Sequence, residues 1–225
     1  FTATVDVVAG RSGLTLLADG PGIAEATLDR LAWLRAKGVT IVPAVSATVA
    51  LGGGGGDVVE LLGIDPVTDP AVRDYRFASG TAGAPSLESL FGVFRRDAVL
   101  VPSPLASRLG VGPGGEIGLL AGGAERKLRV AGVLEMAGAA RAAAGAVLFA
   151  DLSTAQELLR REGLLDRVDL VLPEGLGEAD RAALEASVRD SLPPGVTVGR
   201  PERRTATVDR MVRSFRVNLT ALGLV

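Results

Sequence analysis

The sequence predicts an α+β fold in which two βαβ units share one sheet, with their helices on one face, and a small β-rich subdomain is inserted between them. Two observations predict it. Residues 13–45 contain LTLLADGPGIAEATLDRLAWLRAKGVTIVPA, and residues 168–201 contain VDLVLPEGLGEADRAALEASVRDSLPPGVTVGRP. Both run through strand, glycine-bearing turn, helix and a Gly-Val-Thr exit in the same order. Between them, from Asp65, the texture changes to Pro, Gly, Ser and scattered aromatics. Neither unit can bury the apolar stripe of its helix alone, whereas two side by side can cover one sheet.

Composition narrows the function classes. A chain of 225 residues that is 48% hydrophobic can bury one large core or two small ones. A net charge of -2, with no basic stripe interleaved with aromatics, predicts no nucleic-acid partner. The chain has no Cys and no His. The first absence leaves the redox compartment open. The second removes the usual general base, the usual zinc ligand and every Ser-His-Asp or Cys-His arrangement.

Each element follows from its local pattern. Residues 1–12 open on Phe1 with no signal-peptide core, as expected of a piece of a longer protein. Leu14, Leu16 and Leu17 begin a strand. Asp19 and Pro21 offer a helix start, Ile23, Thr27, Leu28, Leu31 and Leu34 recur at helical spacing, and Gly38 stops the helix. The β-branched runs 39–51 and 57–64 predict a hairpin across Gly52 to Gly56. No Lys-Ser/Thr follows these glycines, so they do not form a phosphate loop.

From Asp65 to Asp97 a smaller, irregular subdomain begins, with Tyr75, Phe77, Phe91 and Phe94 among turn residues. Asp65, Asp69 and Asp74 lack the spacing of a calcium loop and are expected in surface turns. Residues 98–102 predict a strand, Ser103 to Leu109 a short helix and 110–118 a tight turn. The glycines in GVGPGGEIG are interrupted by Pro and lack the flanking strand and helix of a dinucleotide site. A hairpin follows, turning at Gly122 and Gly123. The small-residue stretch 136–146 is too short to span a bilayer. GAVLFAD is a strand, and Ser153 to Arg161 a helix with a Ser-x-x-Gln capping box, closed by Gly163.

In the second unit Val168, Leu170 and Leu172 alternate as a half-buried strand. Leu184, Val188 and Leu192 share a helix face until Pro193 and Pro194 end it. The paired carboxylates Asp166 and Asp169 flank the strand entrance and are expected at the surface. Lys37 and Lys127, the only lysines, leave a Ser-Lys dyad formally available, but each sits where charge is normally solvated. The pattern therefore predicts no enzyme.

The last segment puts Val208, Met211, Val212, Phe215, Leu219 and Leu222 on one helical stripe. A docked amphipathic helix fits that stripe. Between Arg200 and Arg216, however, six Arg stand against Glu202 and Asp209, a net charge of +4, and from Asn218 onward every residue is apolar or small. A basic collar before such a run favours the foot of a transmembrane helix. Arg213, Phe215, Arg216 and Leu219 would then be the membrane-proximal stem residues.

Five stretches occur in an order that carries a family resemblance: LLGIDP at 61–66, AVLVPSPLASRLGVGPGGEI at 98–117, LRVAGVLE at 128–135, GAVLFADLSTAQELL at 145–159 and FRVNLTALGLV at 215–225. Their succession resembles the extracytoplasmic (periplasmic) domain of MacB-like (FtsX-like) permeases of ABC transporters. The run Gly52 to Gly56 and the stretch 137–145 have no counterpart there. The resemblance implies a porter-like α+β domain with a ferredoxin-like sheet, formed by residues 1–64 and 145–205. It further implies an inserted β-rich subdomain at 65–144, and a stem at 206–225 leading into a transmembrane helix.

The function implied is non-catalytic coupling of ATP-driven motion in the transmembrane helices to an extracytoplasmic substrate or partner, in export or extraction of lipid, lipoprotein, peptide or drug. ATP and magnesium would bind a separate cytoplasmic ABC ATPase, with no cofactor in this domain. A second permease copy would complete a dimer at the inner membrane, and a periplasmic or outer-membrane protein is a further expected partner. The alternative is a membrane-tethered sensor domain that binds a small ligand between its two halves. An adjacent ATPase gene would support the permease, an adjacent kinase or cyclase the sensor.

Overall fold

The computed structural model describes residues 12–53, 56–73, 75–77, 96–136 and 144–200. Its first half comprises β1 (Leu14–Ala18), β2 (Ile23–Ala24), α1 (Thr27–Arg30), a 3-10 helix (Ala32–Lys37), β3 (Thr40–Leu51), β4 (Val58–Ile64) and β5 (Tyr75–Phe77). Then come β6 (Ala98–Pro102), α2 (Ser103–Leu109), β7 (Glu116–Ala121), β8 (Ala124–Met136), β9 (Val147–Asp151) and α3 (Leu152–Leu159). The chain closes with β10 (Leu164–Leu165), β11 (Arg167–Val171), α4 (Glu178–Ser191) and β12 (Val196–Gly199). The fold is α+β, a mixed sheet flanked by helices.

At one end the sheet runs β12-β1-β11-β3, each strand antiparallel to its neighbours. One face is closed by a cluster to which Leu14 and Leu16 of β1, Val168 and Leu170 of β11, Ile41 of β3, Leu31 and Leu34 of the first helical segment, and Leu184 and Val188 of α4 all contribute. The expected alternation and helical spacing both serve this cluster.

Beyond β3 the strands form a ring. The pairing continues β3-β4-β9-β6-β8, and β7 bonds to both β8 and β3, so six strands close on themselves. Val49, Leu61, Leu148, Val101, Val130 and Leu119, one from each strand, belong to a single buried cluster joined by Leu105 and Ala106 of α2 and Ala155 of α3. Closure removes the free strand edges that would otherwise template aggregation. At the seam Gly52 N–H donates to Gly118 O at 2.7 Å, and a Cβ on Gly52 would lie 3.0 Å from Gly118 Cα. Only glycine lets the two backbones come that close.

The ring crosses the boundaries expected at 64/65 and 144/145, because β3, β4 and β9 close it together with β6, β7 and β8 from the middle segment. Strand β3 serves both parts. Ile41 packs under the helices while Val45, Val49 and Leu51 point into the barrel. A third cluster, with Phe149 fully buried beside Leu62, Ile64, Leu100 and Leu134, covers the other face of β4, β9 and β6.

Several local expectations need correction. The first helix does not start at Asp19 and Pro21. Ile23 and Ala24 instead pair with Leu165 and Leu164, and helical structure begins only at Thr27. Gly22, at φ 148°, permits this, since a Cβ there would lie 2.8 Å from Leu165 O. Helix α3 is capped by Asp151 and not by Ser153. The Asp151 carboxylate accepts from Ser153 N at 3.1 Å and Thr154 N at 3.2 Å, and an anion suits a helix N-terminus better than a hydroxyl. The helix ends at Arg160, with φ 54°, before Gly163 is reached. Asp69 is not in a surface turn; it is fully buried and ion-paired with Arg73, four residues on in the same turn. The turn at Gly122 and Gly123 falls where expected, with φ 57° and 81° and Ala121 paired to Ala124, as a two-residue hairpin requires.

Candidate functional site at the chain entry and exit

The strands on which the chain enters and leaves the sheet are antiparallel neighbours, with Thr15 opposite Gly199. Entry and exit therefore lie side by side at one end of the fold. On the entry side Gly13 N–H donates to Leu170 O at 3.0 Å. On the exit side Arg200 is held against α4: its Nη1 lies 2.5 Å from Glu178 Oε1 and its Nε 3.3 Å from Glu185 Oε2. The two glutamates are seven residues apart and so share a helix face. The Arg200 pKa is raised above its ordinary value, chiefly by hydrogen bonding to Glu178; desolvation opposes the rise, and the charge of Glu178 and the contact with Glu185 add to it.

Just inside this end lies a buried polar cluster. Thr15 Oγ1 donates to Asp169 Oδ1 at 2.8 Å, and Arg167 Nε donates to the same oxygen at 2.9 Å. Arg167 and Asp169 are two apart on β11 and thus on one face, with Thr15 directly across on β1. Asp169 is 0% exposed, so its expected surface position is overturned. Its strand is the third in the order β12-β1-β11-β3 and has neighbours on both sides. The arrangement pins register, since a slip of one residue would set the carboxylate against the Leu14, Leu16 face.

Asp166, the other carboxylate expected at the surface, is part-buried. It accepts from Ser46 N at 2.7 Å and pairs with Arg161 at 2.6 Å. Arg161 also donates to Pro21 O, so this clamp ties the entry segment to the loop after α3.

Of the other residues singled out, Lys37 lies over the Trp33 ring, 5.7 Å from its centroid, and Lys127 is exposed on β8. Arg213, Phe215, Arg216 and Leu219 lie outside the described residues. Among the described residues no three Asp, Glu, His or Cys side chains are grouped to hold a metal, and no helix is long and apolar enough to cross a membrane. The Arg200 latch and the Thr15 cluster escaped the sequence reading. The alternation of Arg167 and Asp169 with Val168 and Leu170 signals a polar face, but nothing local shows that this face is buried.

No protein-family model matches the chain. It is 28% identical over 185 residues, 81% of its length, to an uncharacterized ABC transporter permease protein of Mycobacterium tuberculosis, and spans 20% of that protein. Its fold is similar to the periplasmic region of MacB from Actinobacillus actinomycetemcomitans, with a TM-score of 0.57 and 11% identity, covering 91% of this chain and 95% of that one. It is also similar to the extracellular domain of the noncanonic ABC-type transporter YknZ from Gram-positive bacteria, with a TM-score of 0.53 and 15% identity, covering 83% and 98% of the two chains. The chain thus has the fold of the extracytoplasmic domains of MacB-like (FtsX-like) ABC transporter permeases, together with sequence similarity to a permease.

Proposed function

We propose that the domain works outside the membrane as a non-catalytic relay in an ABC transporter permease. The observation that carries this is the side-by-side entry and exit at Thr15 and Gly199. A domain inserted between two transmembrane helices leaves and re-enters on one membrane surface, and in this fold the strands that open and close the described sheet are neighbours. The shared strand β3 makes the helix-covered sheet and the barrel one lever, so motion imposed at the entry and exit reaches the barrel without a hinge inside that strand. In this proposal the two βαβ units are the porter-like part and residues 65–144 extend it. Residues 206–225 form the stem, with Arg213 and Arg216 at anionic headgroups, Phe215 at the interface and Leu219 entering the bilayer.

The motion would come from ATP and magnesium bound by a separate cytoplasmic ABC ATPase, acting through a permease dimer. It would act on a lipid, lipoprotein, peptide or drug, or on a periplasmic or outer-membrane partner. The sensor alternative is less well supported, because the sequence relative is a permease.

Two measurements test the proposal. Calorimetric titration of the domain with ATP and magnesium is expected to be flat, since the chain offers no phosphate loop; saturable micromolar heat would overturn the relay assignment. Removing residues 205–225 is expected to leave the melting temperature nearly unchanged if they form a stem. A drop of about 10 °C, the signature of several kcal/mol of lost apolar burial in a chain of this size, would mean a docked helix instead.

A further inference from the structure

A cavity of about 300 Å³ lies beside the first half of β3, between the helical segment that precedes that strand and the turn that follows β4. Strand β3 pairs with β11 over residues 40–44, but β4 joins its other edge only from Ala44 onward. That edge is therefore open over 40–43. Val39 N–H closes the near end by donating to Leu34 O at 3.2 Å, and Ala44 opposite Ile64 closes the far end. The gap has room for one hydrogen-bonded residue pair.

Ile41 forms the floor of the gap. On β3, Ala44 O accepts from Asp166 N and Gly52 N–H donates to Gly118 O, both toward β11 and β7, whereas Leu51 N–H donates to Asp57 O toward β4. A regular strand alternates these directions, so Ile41, ten residues before Leu51, aims its N–H and C=O at the open edge. Ile41 is 5% exposed, and no group among the described residues meets its N–H or C=O there. Backbone groups so shielded are nearly always paired. The charges at the two ends of the gap are unpaired as well. Arg35, beside the Val39 end, makes no ion pair among the described residues. Asp65, beside the Ala44 end, accepts only from its own turn, Val67 N at 3.0 Å and Thr68 Oγ1 at 2.9 Å, and meets no cation among the described residues.

We propose that this gap binds a short free peptide of about three residues as an added strand antiparallel to β3. The middle residue of the peptide donates its N–H to Ile41 O and accepts from Ile41 N–H, as one narrow antiparallel pair does. The antiparallel direction places the peptide's ammonium end at Asp65 and its carboxylate end at Arg35, so each unpaired charge meets its opposite. The reversed direction would set like against like. The middle side chain stands on the same face as that of Ile41, where Leu28 and Val39 offer apolar walls, and is therefore apolar. The cavity volume lies at the lower end of the range for small-ligand sites, about 300–1,000 Å³, which suits a peptide of this length. The site does not depend on the relay function proposed above.

The test uses the 225-residue chain, with the tripeptide Gly-Leu-Gly as probe and amide chemical shifts as readout. Saturable, salt-sensitive binding is expected, with a downfield shift of the Ile41 amide proton. Methylating the leucine nitrogen of the probe removes the bond to Ile41 O and should weaken binding about fivefold or more. Arg35→Gln should weaken binding of the free tripeptide about threefold and leave binding of its C-terminal amide unchanged. Arg35 has no ion-pair partner among the described residues, so the melting temperature of this variant should match the parent's, which separates lost contact from lost folding. Absence of saturable binding, equal binding of the N-methylated probe, or equal binding by Arg35→Gln and parent overturns the site. Free leucine that binds as tightly as the tripeptide overturns the added strand.

Discussion

Asp169→Ala is expected to cost the domain about 3–5 kcal/mol of unfolding free energy, because it leaves the buried guanidinium of Arg167 without its carboxylate. The two groups are 0% and 7% exposed, and their contact at 2.8–2.9 Å has little competition from water. Thr15 Oγ1 loses its acceptor as well, which adds the penalty of an unmet hydroxyl. Replacing the pair together, as Arg167→Met with Asp169→Leu, should recover most of the loss, since two buried charges are exchanged for apolar packing. The double-mutant cycle by urea unfolding then gives a coupling of more than about 2 kcal/mol. A single-variant loss below about 1 kcal/mol would mean that groups other than Asp169 meet the charge of Arg167.

Gly63→Val is expected to cost about 3 kcal/mol, the upper part of the range for overpacking a core. Gly63 lies on β4 where α3 crosses it. A Cβ there would stand 2.4 Å from the Ala155 Cβ and 2.7 Å from Val45 Cγ1. Neither neighbour can yield cheaply: Ala155 has no rotamer to change, and Val45 is fully buried and stiff at χ1. The helix itself would have to lift from the barrel. Combining Gly63→Val with Ala155→Gly should return part of the loss by removing the nearer clash. A Gly63→Val variant that unfolds within about 0.5 kcal/mol of the parent would show that α3 is free to move, contrary to the tight packing described here.

How far the sequence was legible depended on how local each cause was. The apolar run 98–102 became β6, the helical spacing of Leu184 and Val188 became the buried stripe of α4, and Gly122 with Gly123 became a two-residue turn. Each rests on neighbours within a few residues. The segment 19–26 misled, because helical spacing from Ile23 to Leu34 outweighed a pairing with Leu164 and Leu165 that no local window contains. The Ser153 cap misled because Asp151, two residues earlier, offered a charged acceptor to the same N–H groups.

By itself the sequence determined where most strands, helices and turns lie, and a family resemblance that fold and sequence similarity support. Periodicity, glycine and proline act over one or two turns of chain, so those outcomes can be read locally. Only the tertiary structure decided that β7 closes a barrel against β3, that entry and exit meet at Thr15 and Gly199, and that Asp169 is buried against a threonine 154 positions away. These are pairings between distant segments. Whether a polar side chain on an alternating strand meets water or a partner depends on what packs over that face, and no stretch of sequence carries that information alone.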